Sequence, residues 1–539
     1  MGRDPLKVET GKTDSNQYGG GIYMKITDIV ARRDELQFVL SEPFDGVLTL
    51  IEEAPVIHAQ IEDERLSSVS FKGGCALIPR FSGEHDKAFG RFYLTDGDTK
   101  IGGVCYVTEI LDSVCSESYP TLSTIKSLNI SYEIASPLGC DQQGRPDINL
   151  PAFISLREQP GTFPYRFEGQ TYYIFEDAVS EMEKSIKGYK VSTVVVLNSP
   201  LRFGSKREED MLKTCLHPKF EKDAPYAFIS AFNMTTVEGQ RVFAAFLSFL
   251  SEKYACGNEE TGRINGAIIS NEINLQYNWG NMGPVTPEYY MEEYTQALRL
   301  AWIASARHFK NFRVYISLAN NWNVDVGDPR YFFRGKELID LLGENCEKDG
   351  NFPWHVAHHP YPESFDHPDF WNDRHATFDW TTRLITYKNM EVLEKYLAKP
   401  NLLYKGVQRR ILFSEQGFNS GSGPLSALMK KQAAAGYVLS FMKARNMKTV
   451  DMITHHSTID NPHEFGLNLG IYEYDENAPY HKGKAKPIEN MVRAMDTPYE
   501  GAAVEYAKQV IGEELFDYLL NVPEIVEEPE DLSNEFGVV

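Results

Sequence analysis

The chain reads as a TIM (β/α)₈ barrel preceded by an N-terminal β-sandwich domain. Three observations predict this. Its 539 residues exceed the roughly 250–300 that one hydrophobic core can hold, so more than one domain is expected. From about Ile22 to Thr108, short alternating apolar runs are separated by turn residues. From about residue 119 the rhythm changes, and eight apolar strand-like runs alternate with helical stretches.

The expected order is a flexible polar leader over 1–21, the sandwich over 22–118, a catalytic barrel over 119–500, and a C-terminal helix with an acidic tail over 501–539. The leader has no apolar core of the kind a signal peptide carries. In the sandwich the strand signals are LQFVL (36–40), GVLTLIE (46–52), SVSFKGGCALIP (68–79), GRFYLTD (90–96) and GGVCYVTEI (102–110). Asp45-Gly46, Gly73-Gly74 and Asp96-Gly97-Asp98 punctuate them. All six tryptophans lie outside this region, so a structural module packed on the barrel is favoured over a sugar-binding one.

The eight barrel runs are INLPAFISL (148–156), KVSTVVVLN (190–198), YAFISAFN (226–233), INGAIISNE (264–272), FRVYISLANN (312–321), PWHVAHHPY (353–361), RILFSEQGF (410–418) and VDMITHHST (450–458). SLNISYEI (127–134) competes for the first place. Parallel strands with right-handed crossovers follow from the alternation. A doubly wound open sheet is the alternative, but the Gly-rich phosphate turn it would carry is missing.

Composition narrows the partners. With 54 Lys and Arg against 76 Asp and Glu, the net charge is −22, which repels phosphate backbones and argues against nucleic acid. No window approaches the ~18 apolar residues of a membrane-spanning helix, so no membrane partner is expected. The seven cysteines are widely spaced without a CxxC pair, which indicates neither a zinc ribbon nor a disulfide framework. Scattered thiols point to a cytoplasmic location, or a secreted one if a signal peptide has been removed.

Barrel active sites lie at the C-terminal ends of the strands. The fourth run ends in Ser270-Asn271-Glu272 and the seventh in Ser414-Glu415-Gln416-Gly417. A lone charge at the end of an apolar strand is costly to bury, and two can face each other across the mouth. Glycoside hydrolysis needs such a pair, one carboxyl to protonate the leaving oxygen and one carboxylate to attack or to activate water.

In these motifs the chain resembles the clan A retaining glycoside hydrolases, which carry Asn-Glu after strand four and Glu after strand seven. The resemblance covers about 119–500 and assigns no single family. It implies that Glu272 is the acid/base, that Glu415 is the nucleophile, and that Asn271 bonds the sugar 2-hydroxyl. Many members show His-x-Tyr after strand six, matched here by His359-Pro360-Tyr361. Tyr361 would then bond the nucleophile and His359 would line the cleavage subsite. A β-linked oligo- or polysaccharide and a double displacement with net retention are also implied. The chain departs from the pattern at run eight, which ends in Thr454-His455-His456-Ser457 without the usual tryptophan. Arg202 is a loose counterpart of an arginine many members carry near strand two.

Further substrate contacts are expected from strand-end loops. Trp279 and Trp322 are the best sugar-stacking candidates, whereas Trp302 sits mid-helix and reads as core. Asn233 and His455 are candidate partners of sugar hydroxyls. No cofactor is expected, and no metal: runs one to three supply no histidine and no HExxH occurs. A metal-dependent hydrolase on the same barrel and a non-catalytic carbohydrate-binding protein are the alternatives.

Overall fold

The computed structural model describes residues 24–59, 64–199, 207, 209–224, 229–257 and 260–527. The leader at 1–21, Arg202, residues 226–228 of the third run and the last twelve residues of the tail lie outside them.

The N-terminal region is a sandwich of two four-stranded sheets. One runs Glu109–Ile110, Ile26–Ala31, Glu35–Leu40, Cys75–Pro79; the other runs Glu64–Phe71, Gly46–Glu53, Arg91–Asp96, Thr99–Tyr106. Alternation does what it predicts: Leu36, Phe38 and Leu40 turn inward, and Phe38 meets Phe92 edge to face at 5.2 Å.

Eight parallel strands then close into a barrel. They are β1 (Lys126–Leu128), β2 (Gln142–Asn149), β3 (Val191–Leu197), β4 (Ile264–Ile269), β5 (Arg313–Ala319), β6 (Trp354–His359), β7 (Ile411–Gln416) and β8 (Val450–His455). Runs four to eight fall where expected. The start of the barrel does not. β1 opens the competing segment at 126–128, and the 148–156 run is the end of β2 followed by a helical turn, Leu150–Phe153. The 190–198 run is therefore the third strand. The described part of the 226–233 run forms only isolated bridges, Ser230 to Asn281 and Phe232 to Leu216. The physical reason is the character of β2. Its sequence QQGRPDIN is polar and broken by Gly and Pro, so no apolar pattern announces it. Gly144 has to be glycine there, since a Cβ would come within 2.1 Å of Thr454 Oγ1.

Val195, Leu197, Ile268, Tyr315, Ala357, Leu412 and Met452 fill the barrel interior. Their positions set the parity of each strand, and with it which neighbours face the mouth. Helices cover the outside. Trp302, in the helix Pro287–Ala306, is 2% exposed and packs on Phe352, as a core residue should. Among the described residues no helix is long and apolar enough to cross a membrane.

Two features tie the sandwich side to the barrel. Cys115 and Cys256 form a disulfide across 141 positions of sequence, while Cys75, Cys105, Cys140, Cys215 and Cys346 are free. The spacing of the cysteines did not announce this pair, because the partners are distant in sequence and adjacent only in the fold. The second tie is His85 of the sandwich, which bonds Glu52 at 2.5 Å and, from the other ring nitrogen, Glu168 at 3.2 Å. Glu168 lies in the turn of a barrel-domain hairpin, Thr162–Phe167 with Gln170–Phe175. Burial opposes a charge on His85, but the bonds to the two carboxylates outweigh it and raise its pKa to about 9.

In denaturant without reductant, five thiols should react with a thiol reagent; seven would mean the Cys115–Cys256 bond does not form. The stability contributed by charged His85 is complete below its ordinary value of 6.5 and is lost as pH rises through about 9. The urea midpoint of the wild type should therefore fall more steeply across that window than that of His85→Gln. Equal slopes would rule the lock out.

Candidate active site

The mouth of the barrel is shaped by three strand ends, two of which break a local rule. β4 is apolar and buried throughout, and its last carbonyl, Ile269 O, accepts a 2.5 Å bond from Tyr294. Beyond it Ser270 (φ 64°) and Glu272 (φ 38°) adopt left-handed backbone without being glycine, which costs on the order of 1–3 kcal/mol each. Bonds from Ser270 Oγ to Trp279 O (2.8 Å) and from Glu272 N to Ser317 Oγ (2.9 Å) hold this turn.

β7 carries a bulge. Phe413 pairs with Ile453 and Gln416 with His455, so three steps on β7 oppose two on β8. In a regular strand Ser414 and Glu415 would face opposite sides. The extra residue lets both reach the mouth: Ser414 Oγ lies 3.1 Å from His359 Nε2, and Glu415 Oε1 accepts a 2.9 Å bond from Tyr361 Oη. Gly417 follows directly, and a Cβ there would sit 1.9 Å from His456 O, so only glycine lets β7 leave past β8.

β6 separates two adjacent histidines. His358 turns outward, bonds Ile385 O at 2.9 Å, and burial lowers its pKa to about 4. His359 turns inward. Its Nδ1 stands 2.8 Å from Glu272 Oε1 and 3.7 Å from Glu415 Oε2. One nitrogen thus touches both carboxylates, and the sum of the 2.8 and 3.7 Å contacts, about 6.5 Å, is the furthest apart those two oxygens can lie. The two carboxyl side chains are only 13% and 14% exposed. Asn320 Nδ2 donates to Tyr361 O at 3.1 Å and anchors the loop that carries the tyrosine.

Glu272, Glu415, His359 and Tyr361 therefore converge, and Asn271 is buried beside them in the β4 turn. Trp279 is half-buried at the end of a short helix, Gln276–Trp279, where it packs on the top of the barrel interior. Three other expectations are corrected. Trp322 is 1% exposed, donates from its indole nitrogen to Trp380 O and packs edge-on against Tyr396. The loop after β6 folds over it, so it offers no face to a sugar. Asn233 spends its amide on Thr214 O and Thr236 Oγ1 and its oxygen on Thr235, which makes it a turn residue. His455 has outward parity on β8. It bonds Leu469 O and packs among Phe418 and Tyr437, and burial lowers its pKa to about 3. Sequence reading passed over Ser414 and Ser317. Strand parity was the available signal for Ser317, which lies two residues beyond inward-facing Tyr315; nothing short of the β7 register reveals Ser414 together with Glu415. No cluster of three or more His, Cys, Asp or Glu suited to a metal ion occurs among the described residues.

A model of a protein family described as a family of unknown function, DUF5722, matches residues 118–518, well over half of the chain. The chain belongs to this family. The DUF5722 match begins just before β1 and ends beyond β8, so it spans the whole barrel. No curated protein matches the sequence. Among solved structures, the chain is similar to a family 39 glycoside hydrolase from Bacteroides cellulosilyticus WH2, at 13% identity and a TM-score of 0.41, over 91% of this chain and 83% of that one. It is also similar to Bacteroides uniformis β-glucuronidase 2, at 9% identity and a TM-score of 0.37, over 88% of this chain and 50% of that one. A hyperthermophilic β-glucosidase is matched at 13% identity and a TM-score of 0.36, over 69% of this chain and 86% of that one. The chain spans half the length of the β-glucuronidase. Scores this low decide nothing about activity; the barrel of this DUF5722 member is established by its own strand order.

Trp322→Ala should cost about 3–5 kcal/mol in thermal or urea unfolding, as for a buried aromatic, while Trp279→Ala should cost far less. A stable Trp322→Ala protein with impaired glycan binding would reverse that assignment.

Proposed function

We propose that this chain is a retaining glycoside hydrolase that cleaves β-type bonds in an oligo- or polysaccharide by double displacement. The observation that carries the reading is the pair of strand-end carboxylates, Glu272 and Glu415, sharing one nitrogen of His359. Two of their oxygens lie no more than about 6.5 Å apart, which admits the ~5–5.5 Å spacing of retaining pairs. The resemblance of the Asn271-Glu272, His359-Pro360-Tyr361 and Glu415 motifs to clan A supports the same assignment.

In this reading Glu415 attacks the anomeric carbon while Glu272 gives its proton to the departing glycosidic oxygen. A covalent glycosyl ester on Glu415 results. Glu272, now a carboxylate, takes a proton from water as that water attacks the same carbon, and the ester bond to Glu415 breaks. Tyr361 fixes the rotation of the Glu415 carboxylate through its 2.9 Å bond. Asn271, by the resemblance to clan A, holds the 2-hydroxyl of the sugar being cleaved. The strong negative charge of the chain favours neutral glycans over polyanionic ones.

The test is reducing-sugar release from a panel of plant, algal and microbial glycans by wild type and by Glu415→Gln, with the anomer first released read by NMR. Wild type should release product of retained configuration, and Glu415→Gln should lose nearly all turnover while remaining folded. Glu272→Ala should lose about 10²–10⁴-fold on poor leaving groups and much less on activated aryl glycosides. An inverted first product, or equal release by wild type and Glu415→Gln, would sink the nucleophile assignment.

A further inference from the structure

Ser414, two residues beyond inward-facing Leu412, shares the mouth with Glu415 because of the β7 bulge, yet the double displacement has no step for it. Ser414 is fully buried and its Oγ lies 3.1 Å from Nε2 of His359, itself 1% exposed. The opposite ring nitrogen is the one that stands 2.8 Å from Glu272 and 3.7 Å from Glu415. A neutral imidazole carries one N–H and one lone pair, so the bond made at one nitrogen selects what the other can do. An ionised carboxylate can only accept, whereas a serine hydroxyl can donate. If Ser414 donates to Nε2, the ring proton sits on Nδ1, aimed at Glu272.

We propose that Ser414 is a positioning residue: its hydroxyl holds His359 in the Nδ1–H tautomer, so that one N–H stabilises the carboxylate of Glu272 and tunes its exchange of a proton with the leaving group. This rests on the retaining reading above. The charged and titratable groups around the ring are consistent with it. Glu272 faces it from β4 and Glu415 from β7, Tyr361 reaches it through Glu415, and His358, on the other side of β6, is neutral near pH 7. On β5, Ser317 carries no charge and is engaged with Glu272 N. Hydrogen bonding to the charged form of an acid lowers its pKa. Loss of the Ser414 hydroxyl frees the ring to take the other tautomer, weakens the support of the Glu272 carboxylate and raises the pKa of that acid.

Ser414→Ala should therefore move the alkaline limb of kcat/KM, measured on a poor leaving group, upward by about one pH unit. The acid limb, set by Glu415 at the longer 3.7 Å contact, should move less. Ser414→Thr, which keeps a hydroxyl, should restore the wild-type limits. An activated aryl glycoside, which needs little acid assistance, should show no alkaline shift. Unchanged limits in a folded Ser414→Ala protein, or an equal fall on both substrates without a shift, would reduce Ser414 to packing. Nitrogen-15 NMR of histidine-labelled wild type gives a second readout that needs no turnover. His359, assigned by its absence in His359→Gln, should show protonated Nδ1 and unprotonated Nε2; the opposite tautomer would overturn the proposal. A failure of the retaining reading would look different, as retained activity in Glu415→Gln or an inverted product, with the tautomer of His359 unaffected.

Discussion

The contact on which the candidate site depends is the placement of a single imidazole nitrogen between two carboxylates. Two carboxyl groups held close in a low-dielectric mouth interact strongly, and a ring nitrogen within reach of both couples them. His359 thereby limits how far apart Glu272 and Glu415 can lie, and Ser414 and Tyr361 in turn fix the ring and one of the carboxylates.

Reaching that arrangement requires backbone that ordinary strands do not have. Left-handed φ at Ser270 and Glu272 swings the Glu272 side chain over the barrel, and the bulge in β7 turns Glu415 to the same side as Ser414. Both deviations are unfavourable in isolation, and both are held by a neighbouring strand or loop: Ser317 from β5, Trp279 O from the short helix, and the β8 backbone beside Gly417. The strain is concentrated where the two carboxylates are presented, the usual location for backbone that packing alone would not select.

Away from the mouth, polar contacts serve placement of domains. Asp86 of the sandwich is held by Arg80 in a two-point bond and lies 3.7 Å from Arg307 at the end of a barrel helix. His85 adds the bond to Glu168. These buried charges are matched pair by pair, which offsets the cost of removing them from water. The Cys115–Cys256 bond fixes the connecting segment to the end of the helix that follows β3.

Much of the fold was legible because it rests on short-range periodicity. Apolar runs of six or seven residues announced β3 to β8, and the alternation in the sandwich announced its two sheets. β1, with three residues, and β2, with glycine, proline and two glutamines, carry no such pattern, so the first barrel strands were misplaced and the 226–233 run was counted as a strand. In the site, Glu272 and Glu415 were legible because each ends an apolar strand, a position where a polar group has to be explained, whereas His359 and Tyr361 were singled out by the resemblance of His359-Pro360-Tyr361 to clan A. Trp322, Asn233 and His455 look the same in sequence but are turned away, bonded to loop carbonyls or packed against helices. Local pattern alone thus determined the barrel strands from β3 onward and which polar side chains stand at their ends. Which of those side chains share the mouth, and that Ser414 joins them while His455 does not, was decided only by strand register and loop packing, since a one-residue bulge reverses the face of every residue beyond it.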